Sequence, residues 1–176
     1  MEVRTLRGMN TTCVASPLGD LLLASDGSAL TRLSLHAGTA PSGPATGLLG
    51  EVAAQLREYF AGERQAFDVP MNLEGTPFQR KVWAELLRIP FGEAISYAEL
   101  ARRVGMPTAS RAVGSANGKN PVALIVPCHR VIAADGTLGG YGGGLDRKEW
   151  LLAHEGVSWR RTPTPARRSR VAHRAG

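Results

Sequence analysis

Cysteine and histidine are scarce in this chain of 176 residues, with two of the first and four of the second. Cys13 and Cys128 lie far apart and no Cys-x-x-Cys pair exists, so a structural zinc site is not expected. The opening residues MEVRTLRGMN lack the apolar stretch of an export signal. Both cysteines are therefore expected to be free thiols in a reducing, cytoplasmic setting. No run of 18 apolar residues occurs, which argues against a helical membrane span. Hydrophobic residues still reach 43%, enough for a packed core in one generous domain or two small ones. No metal or organic cofactor is called for.

Acidic residues are missing from the end of the chain. Residues 160–176 hold six arginines and no Asp or Glu, which equals the whole net charge of +6. Residues 1–159 then balance at 15 basic and 15 acidic. Within them the first 75 residues carry 5 basic against 8 acidic, and residues 76–159 carry 10 against 7. The second half is thus the better partner for a phosphate backbone. The tail, with prolines and no apolar periodicity, is expected to be disordered.

The first half reads as a small sheet followed by a helix. Residues 21–24 are an apolar run, Asp26-Gly27 suits a hairpin turn, and residues 30–35 alternate apolar and polar. Residues 37–47 are a Gly/Pro/Ser/Thr linker. A helix follows, with Leu49, Val52, Leu56 and Tyr59 or Phe60 on one face and Gly62 as its stop. Nothing in residues 1–70 carries recognisable chemistry, and Cys13, without a basic neighbour, reads as a filler.

Sharper signals begin near residue 75. Thr76-Pro77-Phe78-Gln79 is a capping box with proline at the first helical position, and Phe78, Val82 and Leu86 form a buried stripe. Ser96-Tyr97-Ala98-Glu99 is a second box, opening a short helix that Gly105, Met106 and Pro107 break. Thr108 is expected to cap the next helix, 109–117. Two short helices joined by a tight glycine-containing turn describe a helix-turn-helix. In the second of them Ala109, Ser110, Ala112, Gly114, Ser115 and Ala116 are small, and Arg111 is the one long side chain. Such a helix suits either close packing on a neighbour or entry into a groove as narrow as the minor groove, about 6 Å wide. The aliphatic run 122–126 reads as a buried strand ending at Pro127. Five glycines flank Tyr141, and Asp146-Arg147-Lys148-Glu149 reads as a third capping box for a helix closed by Gly156.

Cys128-His129-Arg130 follows the apolar run directly. A free thiol has a pKa near 8.5, so only about 3% is thiolate at pH 7. His129 is a candidate base, with a distant carboxylate to orient it.

The run Ile125-Val126-Pro127-Cys128-His129-Arg130-Val131-Ile132, preceded by Asn120-Pro121, resembles the active-site signature of the O6-alkylguanine-DNA alkyltransferases. Phe91-Gly92-Glu93 with Ser96-Tyr97, Arg111-Ala112-Val113-Gly114, Gly140-Tyr141-Gly142-Gly143-Gly144 and Lys148 through Glu155 keep the family's order and spacing. The likeness is strong over residues 75–156 and loose over 14–70, where Ser16-Pro17-Leu18-Gly19 looks like the family's N-terminal domain. It implies an α+β fold. A small antiparallel, ribonuclease H-like domain with a helix would span residues 1–72, a mostly helical domain with the helix-turn-helix 73–159, and a basic tail 160–176.

The resemblance also implies roles. Cys128 would accept the alkyl group permanently, His129 would deprotonate it through a water with Glu155 holding the imidazole, and Asn120 would brace the turn. Tyr97 would offer its hydroxyl to guanine N3. Val131, Tyr141, Gly142 and Lys148 would shape the base pocket. Arg111 would fill the gap left by the flipped nucleotide, on a helix whose Thr108, Ala109, Ser110, Ala112 and Ser115 face DNA. Arg130 looks structural. The implied partner is double-stranded DNA carrying O6-alkylguanine, with O4-methylthymine as a second substrate and the protein acting as a monomer. Asn117, Ala123 and Gly142 depart from residues found in some relatives, a longer apolar residue, proline and serine respectively. Those departures bear on the range of alkyl groups accepted.

Three rival readings give the cysteine a different role. They are a module that binds alkylguanine without reacting, a cysteine hydrolase, and a DNA-binding regulator. The presence of Cys128 argues against the first, and the lack of a route for water to attack a thioether argues against the second.

The tail carries its own test. A chain truncated after Trp159 should bind DNA more weakly at low salt and with a shallower salt dependence, at about 0.9 unit of slope per phosphate released. Superimposable slopes for the two chains would show that the arginines never engage.

Overall fold

The computed structural model describes residues 9–36, 38 and 42–160. The expectation for the tail therefore lies outside the described residues from position 161 onward, as does part of the 37–47 linker.

Three strands form an antiparallel meander: β1 (Asn10–Val14), β2 (Leu21–Ser25) and β3 (Leu30–Ser34). β2 is central and buried along its length, which is why its sequence, LLLAS, is apolar without alternation. Asp26 closes the β2–β3 turn by accepting from the backbone N–H of Ser28 and Ala29. β1, rich in polar β-branched residues, was not distinguished from its surroundings by sequence; pairing with β2 places it, Cys13 opposite Leu22. Helix α1 (Gly47–Phe60) buries Leu49, Val52, Leu56 and Tyr59, the stripe expected from its period, and Gly62 follows in the left-handed region.

The outer edge of β3 is covered at Leu30 by residues 70–72 and at Leu33 by the second half of the chain. Leu33 donates to Pro121 O at 3.0 Å, and its carbonyl accepts from Ala123 at 3.1 Å. The sheet is thereby hydrogen-bonded to the run that leads into Cys128.

Helix α2 (Pro77–Leu86) starts with the complete Thr76/Gln79 capping box. Two-residue strand β4 (Ile95–Ser96) then leads into α3 (Tyr97–Arg103). Ser96 caps α3, but only half of a box forms, because the Glu99 carboxylate turns to Arg102 and Arg103. α3 ends at a Schellman turn, with Met106 N–H on Ala101 O and Gly105 N–H on Arg102 O. Helix α4 (Ser110–Gly118) starts one residue later than expected. Ala109 is its N-cap and makes no side-chain cap, so Thr108 does not serve. Trp83 ties α2 to α4 through Nε1–H on Ala116 O at 2.9 Å.

Two further expectations are corrected. Residues 122–126 are not a strand. Val126 N–H returns to Val122 O, Ile125 N–H returns to Ala123 O, and Leu124 takes φ +73°, so the run coils on itself. Its apolar character reports burial, which a coiled segment achieves as well as a strand. The third capping box is absent too. Helix α5 (Leu145–His154) begins at Leu145 with Gly144, at φ +95°, as N-cap. Between these lie a 3-10 turn (Cys128–Arg130) and strand β5 (Val131–Ile132), parallel to β4. The architecture is α+β. No described helix is long and apolar enough to cross a membrane.

Trp83 is 1% exposed. Trp83→Ala should lower the unfolding free energy by about 3–5 kcal/mol in urea titrations. A loss below about 1 kcal/mol would mean that α2 and α4 are held by other contacts.

Candidate active site

Cys128 opens the 3-10 turn, at the wall of a cavity of about 1010 Å³. The turn is held from behind by Asn120, whose amide donates to Val126 O at 2.7 Å and accepts from Val122 N–H at 3.0 Å. Burial pushes the Cys128 thiol up, outweighing the polar groups of Asn120 and Tyr141 and the positive charge of Lys148. The thiol is thus protonated at rest, and its reaction needs a base.

His129 is completely buried and next in sequence. Its Nε2 lies 2.9 Å from Glu155 Oε1, while Nδ1 is buried with no hydrogen-bond partner among the described residues. An Nε2–H donated to the carboxylate leaves the lone pair on Nδ1, the arrangement a general base requires. Burial lowers the His129 pKa more than Glu155 raises it, so the ring stays neutral and able to take a proton.

Glu155 directly follows α5 and is 4% exposed. Arg130 Nε donates to its Oε2 at 2.7 Å and Arg130 Nη2 to its Oε1 at 3.0 Å. Arg130 Nη1 also reaches Ile89 O at 2.6 Å, so the arginine serves as the structural tie its position suggested. Tyr59, from α1, donates its hydroxyl to Glu155 Oε1 at 2.7 Å. Desolvation would raise the Glu155 carboxyl, but its bonds to His129 and Arg130 together outweigh it and bring the pKa to about 2. Sequence reasoning missed Tyr59 as a site residue, placing it only on the core face of its helix. The available signal was a hydroxyl at a position where a core needs none.

Tyr97, at the start of α3, and Tyr141, Gly142, Asn120 and Asn117 line the cavity with Cys128. Tyr97 OH donates to Gly140 O at 3.2 Å, and burial holds its phenol up, so it remains a donor. Val131 and Lys148 do not line the cavity. Lys148 is buried with its ammonium on the carbonyls of Val131 (2.6 Å) and Leu138, pinning β5 to the glycine-rich loop. Burial lowers its pKa to about 8. Arg147 clamps the same loop, donating to Gly143 O and to Leu18 O, each at 2.9 Å. Gly143 has no room for a side chain, since a Cβ would lie 2.5 Å from Leu35 and 2.7 Å from the Tyr141 ring.

On α4, Arg111, Ala112 and Ser115 form an exposed face, with Thr108 exposed in the preceding turn and Ala109 and Ser110 half-buried. Val113, Ala116 and Asn117 turn inward. Gly114 faces the cavity beside Tyr97, where a Cβ would sit at an ordinary 3.7 Å. Tight packing therefore does not explain that glycine, whereas an added side chain would narrow the cavity. Among the described residues no group of His, Cys, Asp and Glu could hold a metal ion.

With this geometry in view, residues 9–73 match the ribonuclease-like domain of 6-O-methylguanine DNA methyltransferase, and residues 77–157 match its DNA-binding domain. The chain belongs to the O6-methylguanine-DNA methyltransferase family. A methylated-DNA–protein-cysteine methyltransferase of Mycobacterium tuberculosis is 52% identical over 147 residues, spanning 81% of this chain and 89% of the relative. One from Mycobacterium leprae is 53% identical over 145 residues, spanning 80% and 88%. A crystal structure of the M. tuberculosis protein in complex with DNA superposes with a TM-score of 0.79 at 49% identity, covering 84% of this chain and 92% of that one.

The depressed Glu155 pKa has a pH signature. The stability it confers is fully present above its unfolded value near 4.5 and is lost as pH falls toward about 2. That drop corresponds to about 3 kcal/mol. Glu155→Gln should be strongly destabilised at pH 7, and its deficit relative to the native protein should shrink as pH falls from 5 to 3 in urea unfolding. A deficit independent of pH would show that the carboxylate charge is not what the neighbours stabilise.

Proposed function

We infer that this protein repairs DNA by transferring the methyl or other alkyl group of O6-alkylguanine to Cys128, once per molecule. One observation carries the assignment of the site: Cys128, at the wall of an open cavity, is followed directly by a histidine whose tautomer Glu155 fixes so that Nδ1 is left to take a proton. Double-stranded DNA is the partner, in keeping with the family and with the related protein solved on DNA.

In this reading the thiol proton passes through a bridging water to His129 while Sγ attacks the alkyl carbon. The carbon–O6 bond breaks and its electron pair goes to the base. Tyr97 OH offsets the negative charge developing there, and the base finally takes up at N1, by way of solvent, a proton equivalent to the one lost by the thiol, and stands as ordinary guanine in its strand. O4-methylthymine offers the same alkyl–oxygen bond and is included among the substrates. A base inside the duplex cannot reach a buried thiol, so the nucleotide flips out. The small face of α4 enters the minor groove and Arg111 takes the place of the missing base. Residues 1–72 support the site, residues 73–159 bind DNA and react, and one chain supplies every group, so the protein acts as a monomer.

With substrate in excess, product should plateau at one equivalent per protein, because a thioether on Cys128 has no good leaving group. Continued linear formation beyond that point would overturn the reading. Arg111→Ala should slow repair of duplex DNA at least tenfold more than reaction with free O6-alkylguanine base, since only the duplex has a stack to leave. Equal losses on both would assign Arg111 another role.

A further inference from the structure

Tyr59 belongs to the sheet-and-helix half of the chain, yet its hydroxyl ends in the centre of the reactive network. The side chain has no solvent exposure, and its ring lies among Phe60, Phe67, Phe91 and His154 at centroid distances of 5.0–6.2 Å. A phenylalanine would fill that cage without the cost of burying a hydroxyl. What the hydroxyl adds is a 2.7 Å bond to Glu155 Oε1, the oxygen that also receives His129 Nε2 at 2.9 Å and Arg130 Nη2 at 3.0 Å. Three donors converge on one oxygen.

We propose that Tyr59 is a positioning residue for alkyl transfer: it fixes the Glu155 carboxylate against His129 and limits how strongly that carboxylate pulls on the imidazole. The proposal rests on the function given above and deepens it. A carboxylate oxygen has a limited supply of electron density to share, so each donor weakens the others. Without the Tyr59 hydroxyl, Oε1 becomes the better acceptor for His129. The imidazolium form gains relative to the neutral ring, and His129 remains protonated to a higher pH. Below that pH it cannot receive the Cys128 proton.

The other charged groups around the pair are accounted for. Arg130 is fixed on both carboxylate oxygens. Lys148, from α5, disfavours a protonated His129, and the Cys128 thiol is neutral at rest. His154, also from α5, is bonded through Nε2 to the Tyr59 carbonyl at 2.8 Å and so meets the backbone rather than the hydroxyl. Burial and Glu155 both push the Tyr59 phenol up, so it acts only as a donor. The N-terminal half thereby takes part in the chemistry as well as supporting the fold.

The test uses the full chain and two reactions of Cys128, each followed as a rate across about pH 5 to 9. They are methyl transfer from an O6-methylguanine duplex and alkylation by iodoacetamide. Tyr59→Phe should move the acid limb of both profiles up by about half a pH unit or more, slowing reaction about threefold at pH values below the midpoint. Replacing Tyr59 with 3-fluorotyrosine, a stronger donor of nearly the same shape, should move the limb the opposite way. This variant decides the matter if the Phe variant does not fold. Phe67→Leu loosens the same cage without touching the hydroxyl and should leave the midpoint in place. Unchanged profiles in the Tyr59 variants, or an equal shift in Phe67→Leu, would reduce Tyr59 to packing. Should the native protein react with iodoacetamide at Cys128 but take no methyl group, the proposed function fails while the iodoacetamide profiles still decide the role of Tyr59.

Discussion

A carboxylate removed from water must be neutralised by what surrounds it, and the arrangement around Glu155 follows from that demand. Four protein hydrogen bonds converge on its two oxygens, from Arg130, His129 and Tyr59. The donors arrive from different levels of structure: a 3-10 turn supplies two, and a helix from the opposite half of the chain supplies the third. Removing any one partner leaves charge or polarity uncompensated in a dry interior, where such groups cost several kcal/mol. The same requirement that holds the halves together therefore fixes the imidazole of the residue that follows Cys128.

The thiol itself is kept in a setting that suppresses its reactivity. Burial favours the protonated form, and only a neighbouring base can release it during reaction. A group held in this way reacts only as its proton is taken up, whichever electrophile meets it. Around it the glycine-rich loop is fixed from two sides, by Lys148 from within and by Arg147 toward the Leu18 turn. The cavity wall is thus positioned by side chains that do not themselves line the pocket.

Much of the second half was legible in the sequence because its signals are local and chemical. The Thr76 box, the breaker at Gly105 and the Cys128-His129-Arg130 run each act over a few residues. Errors arose where tertiary context decides. Residues 122–126 are apolar because they are buried, and a turn at Leu124 serves burial as well as a strand does. Asp146 and Glu149 have the spacing of a capping box, but the chain had already entered the helix at Leu145. Lys148 looked like a pocket residue, yet its ammonium is occupied by backbone carbonyls. Tyr59 was readable as core and unreadable as a site residue, since its partner lies 96 positions away.

The mechanism turns on which sulfur carries the transferred group. The direct measurement is peptide mass mapping after incubation with a duplex containing a single O6-methylguanine. Transfer to Cys128 predicts one added methylene on the peptide containing that residue, none on the peptide containing Cys13, and none anywhere in Cys128→Ser. A methyl group on Cys13, or a Cys128→Ser protein that still takes one up, would contradict it.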